Sequence, residues 1–126
     1  MQRLVILISG NGSNLQAIID ACQTRLLQAQ IVAVISNKPD AYGLQRAQQA
    51  NLKTIVQEKI SGQTRLEYDQ ELARCVASLE PDWIVLAGWM RLLTNSFLQQ
   101  FPGKVINLHP ALPGMFPGTH AIERAL

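Results

Sequence analysis

The sequence is poor in several residue types, and each shortage argues against a class of protein. It has two cysteines, Cys22 and Cys75, without a Cys-x-x-Cys pair or a Cys/His cluster, which predicts reduced cytosolic thiols and no metal site. The apolar run LVILI near the start is too short for a signal peptide or a membrane span. Charged residues make up 16% of the chain, and 11 basic against 9 acidic residues give a net charge of +2. The basic residues are scattered, so no nucleic-acid surface is expected.

Signature motifs of several enzyme classes are also missing. There is no G-x-S-x-G element, which argues against a serine hydrolase of the α/β type. There is no G-x-x-x-x-G-K-[ST] loop for a nucleoside triphosphate. The third glycine of a G-x-G-x-x-G motif is replaced by Leu15, and Ser36 and Asn37 stand where an acidic residue would end the second strand. Both departures argue against a dinucleotide.

What is present is a regular alternation of apolar runs and helical patterns. Hydrophobic residues make up 48% of the 126 residues, enough for one domain with a core over residues 1–126. Five apolar runs are predicted strands: residues 3–9, 31–36, 53–57, 82–88 and 104–109. The predicted helices are residues 13–28, 42–51, 64–80, 93–101 and 120–126. The strands show no polar alternation, so we predict an α/β fold with a doubly wound, mostly parallel, Rossmann-like sheet.

Ligands of such a sheet bind beyond the carboxyl ends of its strands. The polar and glycine-rich segments GNGSN, SNKPDAYG, GWMRLL and NLHPALPG follow the first, second, fourth and fifth predicted strands. All four therefore lie at one edge, and the sequence predicts a binding site there.

The first of these segments is the glycine loop, residues 9–16, with the sequence SGNGSNLQ. Gly10 and Gly12 precede a helix start at which Ser13 or Asn14 suits the N-cap. Backbone N–H groups, a hydroxyl and an amide at a helix N-terminus suit one phosphate monoester. The alternative is that the glycines only make the turn and Ser13 only caps the helix.

Asn107 and His109 stand two residues apart where the fifth strand ends. On an extended backbone they point to the same face. An Asn amide can donate to a developing oxyanion, and a His can donate a proton near neutral pH. The pair suits acyl or formyl transfer; the alternative is that His109 hydrogen-bonds a loop carbonyl and Asn107 only ends the strand.

The segment after the fourth strand adds apolar side chains at the same edge. Trp89, Met90 and Leu92, together with Arg91, suit the wall of a pocket for a flat aromatic ligand. The alternative is ordinary core packing at a helix start.

Four segments taken together closely resemble the phosphoribosylglycinamide formyltransferase (glycinamide ribonucleotide transformylase) family: LISGNGSNLQAIIDAC, SNKPDAYGLQRA, PDWIVLAGWMRLL and INLHPALPGMFPGTHA. The resemblance runs from Leu4 to Leu126 and keeps the family's order. It implies transfer of a formyl group from 10-formyltetrahydrofolate to the amine of 5-phosphoribosylglycinamide, giving formylglycinamide ribonucleotide and tetrahydrofolate in de novo purine biosynthesis. It also implies a cytoplasmic enzyme without a metal, nucleic-acid or membrane partner, and leaves a homodimer open.

The resemblance also implies a role for individual residues. Those that match the family's substrate-phosphate loop are Gly12, Ser13 and Asn14. Those that match its folate-binding positions are Arg65, Met90, Arg91, Leu92, Leu93 and Asn107. Asn107 and His109 match the catalytic Asn and the catalytic proton donor.

Family members continue past the position of Leu126 with a segment resembling TSVHFV…DGG, which carries an Asp that raises the pKa of the catalytic His. We therefore expect a chain truncated at its C-terminus with negligible turnover. The alternative to an enzyme is a catalytically impaired fragment that only binds phosphate and folate, or a module for oligomerisation. Methionyl-tRNA formyltransferase and formyltetrahydrofolate deformylase share the fold and the Asn-x-His element. The GNGSN loop, and a first strand that begins at Arg3, favour the purine enzyme.

Overall fold

The computed structural model describes residues 1–108 and the backbone of residues 122–124, in which strands and helices alternate. The strands are β1 (Gln2–Ile8), β2 (Ala29–Ser36), β3 (Thr54–Val56), β4 (Trp83–Ala87), β5 (Val105–Leu108) and β6 (Ile122–Arg124). The helices are α1 (Ser13–Gln23), α2 (Tyr42–Gln49), α3 (Arg65–Ser78) and α4 (Asn95–Gln100). None of the helices in these residues is long and apolar enough to cross a membrane.

The sheet has the strand order β3-β2-β1-β4-β5-β6. Strands β1 to β5 pair in parallel, and β6 pairs antiparallel with β5. From β1 the chain first builds outward through β2 and β3, and then returns to place β4 on the other side of β1. The predicted doubly wound, mostly parallel sheet is confirmed. The order reverses between β1 and β4, which is where the carboxyl ends of a parallel sheet open a crevice for ligands.

The apolar runs predicted as strands are buried on both faces of the sheet. In β1, Leu4, Ile6 and Ile8 pack on the face of α1 and α2, whereas Val5 and Leu7 pack on the face of α3 and α4. Alternate residues of a strand point to opposite faces, so a run without polar alternation needs helices on both sides. Each fully buried Ile or Leu contributes about 1.5–3 kcal/mol relative to exposure.

Helix α3 begins with a reciprocal capping box. The Thr64 hydroxyl accepts from the Glu67 amide at 3.1 Å, and the Glu67 carboxylate accepts from the Thr64 amide at 2.9 Å. The hydrogen bond from the Thr64 backbone lowers the pKa of Glu67. The cap defines the helix start and so the position of Arg65, its first residue.

Helix α1 is shorter than its predicted range of residues 13–28. It ends at Gln23, where the Thr24 hydroxyl donates to the Asp20 carbonyl at 2.9 Å and Arg25 takes a left-handed conformation with φ 62°. Leu26, which the helical pattern assigns to the apolar face, is 87% exposed. The helix stops early because Ala29 already pairs with Gln2 in the sheet, a constraint that local periodicity does not contain.

The helix predicted for residues 120–126 is wrong at residues 122–124. These residues form β6, in register with β5 through the pairs Ile106–Arg124 and Leu108–Ile122. An uncovered β5 would leave a row of unpaired backbone N–H and C=O groups, and pairing with β6 satisfies them. The rest of the range predicted as this helix lies outside the described residues.

We predict that Gly43→Ala lowers the free energy of unfolding by about 1–3 kcal/mol in urea denaturation. A Cβ at this position would lie 2.5 Å from Cδ1 of the buried Ile8 and 3.2 Å from the Gly12 Cα. The control is Gly10→Ala, because a Cβ there meets no atom within 4 Å. Its effect should stay below about 0.5 kcal/mol. If the two variants lose the same free energy of unfolding, the clash of the Gly43 Cβ with Ile8 is not the cause.

Candidate active site at the carboxyl edge of the sheet

Helix α1 begins without a side-chain cap. Gly12 is the N-cap residue, with φ 80° and ψ 23°, and no side chain accepts a hydrogen bond from the first turn. The prediction that Ser13 or Asn14 is the N-cap is therefore wrong: the left-handed turn at Gly12 starts the helix one residue earlier. The first turn also contains no acidic residue. The N-terminal amides of α1, with the positive end of the helix dipole, are consequently suited to bind an anion.

The glycine loop lies directly against the start of helix α2. The Gly43 amide donates to the Gly10 carbonyl at 3.0 Å. A Cβ added at Gly12 would lie 2.6 Å from the Gly43 Cα. Because both positive φ and this backbone contact exclude a side chain, glycine is required at position 12. The loop thus has its shape before any ligand binds.

Ser9 connects three of the loops at this edge. It is 3% exposed, and its hydroxyl donates to Asn37 Oδ1 at 2.6 Å while accepting from the Met90 amide at 2.8 Å. Ser9 follows β1, Asn37 follows β2, and Met90 lies in the loop after β4. Sequence reasoning did not single out Ser9, although a lone hydroxyl that ends a wholly apolar strand was the available signal. Its two hydrogen bonds join the glycine loop to the segment predicted to bind folate.

The β4–α4 loop, residues 88–94, exposes apolar surface beside this junction. Met90 and Leu92 are each 76% exposed, whereas Trp89 and Leu93 are partly buried against the core between the sheet and α3 and α4. Exposed neighbouring apolar side chains next to polar loops are typical of a binding surface. Ordinary core packing, the alternative interpretation of this loop, applies to Trp89 and Leu93 and not to Met90 and Leu92.

Helix α3 holds the same loop through polar contacts. The Arg91 guanidinium carbon lies 4.1 Å from the centre of the Tyr68 ring, and the Tyr68 hydroxyl donates to the Gln57 carbonyl at 2.5 Å. Asp69, which is fully buried, accepts from the Thr94 amide through Oδ2 at 2.6 Å. These contacts tie the middle of the loop, at Arg91, and its last residue, Thr94, to helix α3.

Three buried polar atoms near the β4–α4 loop have no hydrogen-bond partner within the part of the chain that is described: Asp69 Oδ1, Trp89 Nε1 and Arg91 Nε. An unsatisfied buried polar group costs about 1–3 kcal/mol. Two of the three atoms are donors. A ligand that offers hydrogen-bond acceptors as well as a flat apolar ring therefore fits this loop.

Asn107 is the third residue of β5 and is half-buried. It pairs in register with Leu86 of β4, and it shares a strand face with Val105, on the side of α3 and α4. Arg65 is exposed at the start of α3, and no hydrogen bond among the described residues joins it to the other predicted site residues. The predicted proton donor, His109, lies outside the described residues.

The opposite, amino-terminal edge of the sheet has a groove of about 1320 Å³, lined among others by Arg3, Cys22, Leu52 and Lys53. None of the predicted site residues lines it. Cys22 and Cys75 are both free thiols, and burial raises the pKa of each. In residues 1–108, no cluster of three or more His, Cys, Asp and Glu side chains is arranged to hold a metal ion.

The uncapped start of α1, the exposed apolar loop after β4 and the Asn107 amide lie at the carboxyl edge of the parallel sheet, which is where α/β proteins of this class bind their ligands. The formyl transferase family model matches residues 2–126. The chain belongs to the formyl transferase family.

Within that family, the chain is similar to phosphoribosylglycinamide formyltransferases. It is 46% identical over 123 residues to the Escherichia coli protein, covering 98% of this chain and 58% of that one. It is 49% identical over 136 residues to the Dictyostelium discoideum protein, covering 97% and 66%. The crystal structure of glycinamide ribonucleotide transformylase 1 from Symbiobacterium toebii superposes with a TM-score of 0.84 at 39% identity, covering 96% of this chain and 57% of that one. The chain thus spans less than two thirds of the length of each of these relatives.

We predict that the free energy of unfolding falls as the pH rises from 10 to 12. Burial raises the pKa of Tyr68 from 10.0 to about 12, although the nearby positive charge of Arg91 lowers it. The folded state holds the phenol proton more tightly than the unfolded state, so this stabilisation is complete below pH 10 and is lost as the pH rises to about 12. Urea denaturation across this range measures it.

Tyr68→Phe should remove this part of the pH dependence. It should also lower stability near neutral pH by about 1 kcal/mol, because the Gln57 carbonyl loses its donor. Tyr42→Phe, at a 45% exposed tyrosine, is the control and should keep the wild-type pH dependence. If both variants show the same dependence of unfolding free energy on pH, Tyr68 is not the group responsible for it.

Proposed function

We propose that the protein transfers a formyl group from 10-formyltetrahydrofolate to the amine of 5-phosphoribosylglycinamide. The printed names of its relatives state formyl transfer and phosphoribosylglycinamide, which supports this proposal. The observation that carries this proposal is the hydrogen bond from the Met90 amide to Ser9 at 2.8 Å. It joins the loop suited to a phosphate with the loop suited to a flat ligand, at the carboxyl ends of the adjacent strands β1 and β4. Two substrates bound at these loops would meet beside β5.

For the phosphorylated substrate, the proposed residues are Gly12, Ser13 and Asn14. The uncapped amides of α1 supply donors and the helix dipole supplies a favourable potential. The absence of acidic residues in the first turn of α1 avoids repulsion of a dianion. A phosphate group would then position the glycinamide amine away from the loop, toward the neighbouring strand ends.

For the folate, the proposed residues are Arg65, Met90, Arg91, Leu92, Leu93 and Asn107. Exposed Met90 and Leu92 offer apolar surface to a flat ring, and the unpartnered Arg91 Nε and Trp89 Nε1 offer donors. Arg65, exposed at the start of α3, offers a cation to a carboxylate. Bound folate supplies the formyl group, and its N10 is the leaving atom.

The proposed chemistry needs one oxyanion donor and one proton donor. As the substrate amine attacks the formyl carbon, negative charge grows on the formyl oxygen. The Asn107 side-chain amide, held on β5 beside Leu86, is proposed to donate a hydrogen bond to that oxygen. The bond from the formyl carbon to N10 then breaks, N10 leaves with a proton, and the attacking nitrogen gives up one proton. His109, two residues further along the chain, is proposed as the donor of the proton that N10 takes.

We infer that residues 1–126 form a single formyltransferase domain, in agreement with the family match over residues 2–126. A cytoplasmic location fits a biosynthetic enzyme with two free thiols. The second candidate is a phosphate- and folate-binding module without activity, or one that self-associates as a homodimer.

We predict that calorimetric titration shows binding of 5-phosphoribosylglycinamide, and binding at least about tenfold weaker for the same molecule without its phosphate. Gly12→Ala should abolish the preference for the phosphorylated ligand. Residue 12 cannot keep φ 80° when its Cβ would lie 2.6 Å from the Gly43 Cα. Gly10→Ala, whose Cβ meets nothing, should keep it. Equal affinity for the two ligands in the wild-type protein would refute the phosphate assignment.

We predict that, where formyl transfer by the wild-type protein is measurable, Asn107→Ala lowers its rate by about 10²–10³-fold, the usual effect of removing an oxyanion donor. A spectroscopic assay of folate with 5-phosphoribosylglycinamide as acceptor measures it. Gln99→Ala, at an exposed position of α4, is the control and should leave the rate unchanged. If the wild-type protein binds both ligands without transferring the formyl group, the non-catalytic module is the better description.

A further inference from the structure

The glycine loop is held from one side by helix α2 through Arg46. The Arg46 Nε donates to the Asn11 carbonyl at 2.9 Å, and Nη2 donates to Asn11 Oδ1 at 2.9 Å. Nη1 donates to Gln16 Oε1 at 3.4 Å. Its Cδ lies 3.3 Å from where a Cβ would stand on Gly12. One side chain therefore spans Gly12, contacting the loop residue before it and the first turns of α1 after it.

The charge of Arg46 is not neutralised by these contacts. All three acceptors are neutral, and the aromatic ring of Tyr42 lies 5.0 Å from the guanidinium carbon. The one carboxylate in the network, Asp20, accepts from the Gln16 side chain at 3.0 Å and not from Arg46. A guanidinium beside a helix N-terminus places two positive potentials together, which is unfavourable until an anion binds between or beside them.

The planar fork of an arginine is suited to hold two neighbouring groups in one geometry, which a lysine cannot do. Here the fork holds the main chain and the side chain of Asn11 at once. With the Gly43 amide on the Gly10 carbonyl at 3.0 Å, it orders the loop before the substrate arrives. Ordering in advance lowers the entropic cost of binding.

We propose that Arg46 is the positioning residue of the phosphate-binding loop: it holds Asn11 and Gly12 in the conformation that presents the α1 amides and adds positive charge beside the phosphate. The proposal rests on the proposed function of this loop. It adds a residue from helix α2 to a site otherwise made by the β1–α1 loop. Arg46 does not need to touch the phosphate to act in this way.

The binding test compares Arg46→Met, Arg46→Lys and wild-type protein by calorimetry with 5-phosphoribosylglycinamide and with its dephosphorylated form. Arg46→Met should weaken binding of the phosphorylated ligand about tenfold, corresponding to ~1.4 kcal/mol, and leave the dephosphorylated ligand unaffected. Arg46→Lys keeps the charge without the fork and should lose less. Arg74→Met, at an exposed arginine of α3, removes the same charge elsewhere and should bind like wild type.

A second measurement follows the loop without ligand. Hydrogen exchange of the Gly43 amide, which bonds the Gly10 carbonyl, and of the Gln16 amide, which bonds the Gly12 carbonyl at 2.8 Å, reports whether the loop stays docked. Both amides should exchange faster in Arg46→Met than in wild type, with Arg46→Lys between them. Arg74→Met should match wild type.

The two measurements separate this proposal from the function on which it rests. Wild-type affinity for the phosphorylated ligand in Arg46→Met overturns the role of Arg46, and so does an equal loss for both ligands, which indicates a general structural defect. If the wild-type protein does not bind the phosphorylated ligand, the proposed function fails. Faster exchange in Arg46→Met would then still support the loop-holding role, and unchanged exchange would overturn it.

Discussion

The parallel pairing of β1 with β4 organises both the sheet and the site at its carboxyl edge. Residues 4–7 of β1 pair with residues 83–86 of β4, which lie 79 positions further along the chain. The chain between them builds β2 and β3. The pairing buries β1 in the middle of the sheet and brings two distant loops to one edge. Because β2 lies on the other side of β1, this pairing is also where the strand order reverses and a crevice opens.

The crevice is shaped chiefly by backbone contacts and neutral hydrogen bonds. A Cβ at Gly12 would meet the Gly43 backbone, and a Cβ at Gly43 would meet the Ile8 side chain. Ser9 bonds to the loops after β2 and β4. Those contacts place no charge in the site, whereas the Arg46 guanidinium hydrogen-bonds Asn11 and Gln16 and so brings a positive charge to the same loop. The positive potential comes from the start of α1 and from Arg46, and the apolar surface comes from Met90 and Leu92. An anionic group and a flat ring can therefore bind at different parts of the same carboxyl edge of the sheet.

The parts predicted from sequence were those with strong local signals. The apolar runs of the strands, the glycine loop and the Thr64 start of α3 depend on neighbours in sequence, and the structure has them where they were expected. Errors arose where a distant partner decides the outcome. Helix α1 ends early because Ala29 pairs with Gln2, and residues 122–124 form a strand because β5 offers an edge.

The amino-acid sequence alone specified the alternation of buried strands and helices, and the set of polar loops that share one edge. It did so because periodicity and turn chemistry are properties of neighbouring residues. The order of the strands in the folded sheet, in contrast, brings Ser9 to Met90, which is 81 positions further along the chain, and brings Arg46 of α2 to the glycine loop. A hydrogen bond between distant residues depends on how the strands are ordered in the sheet, and no local pattern carries that order.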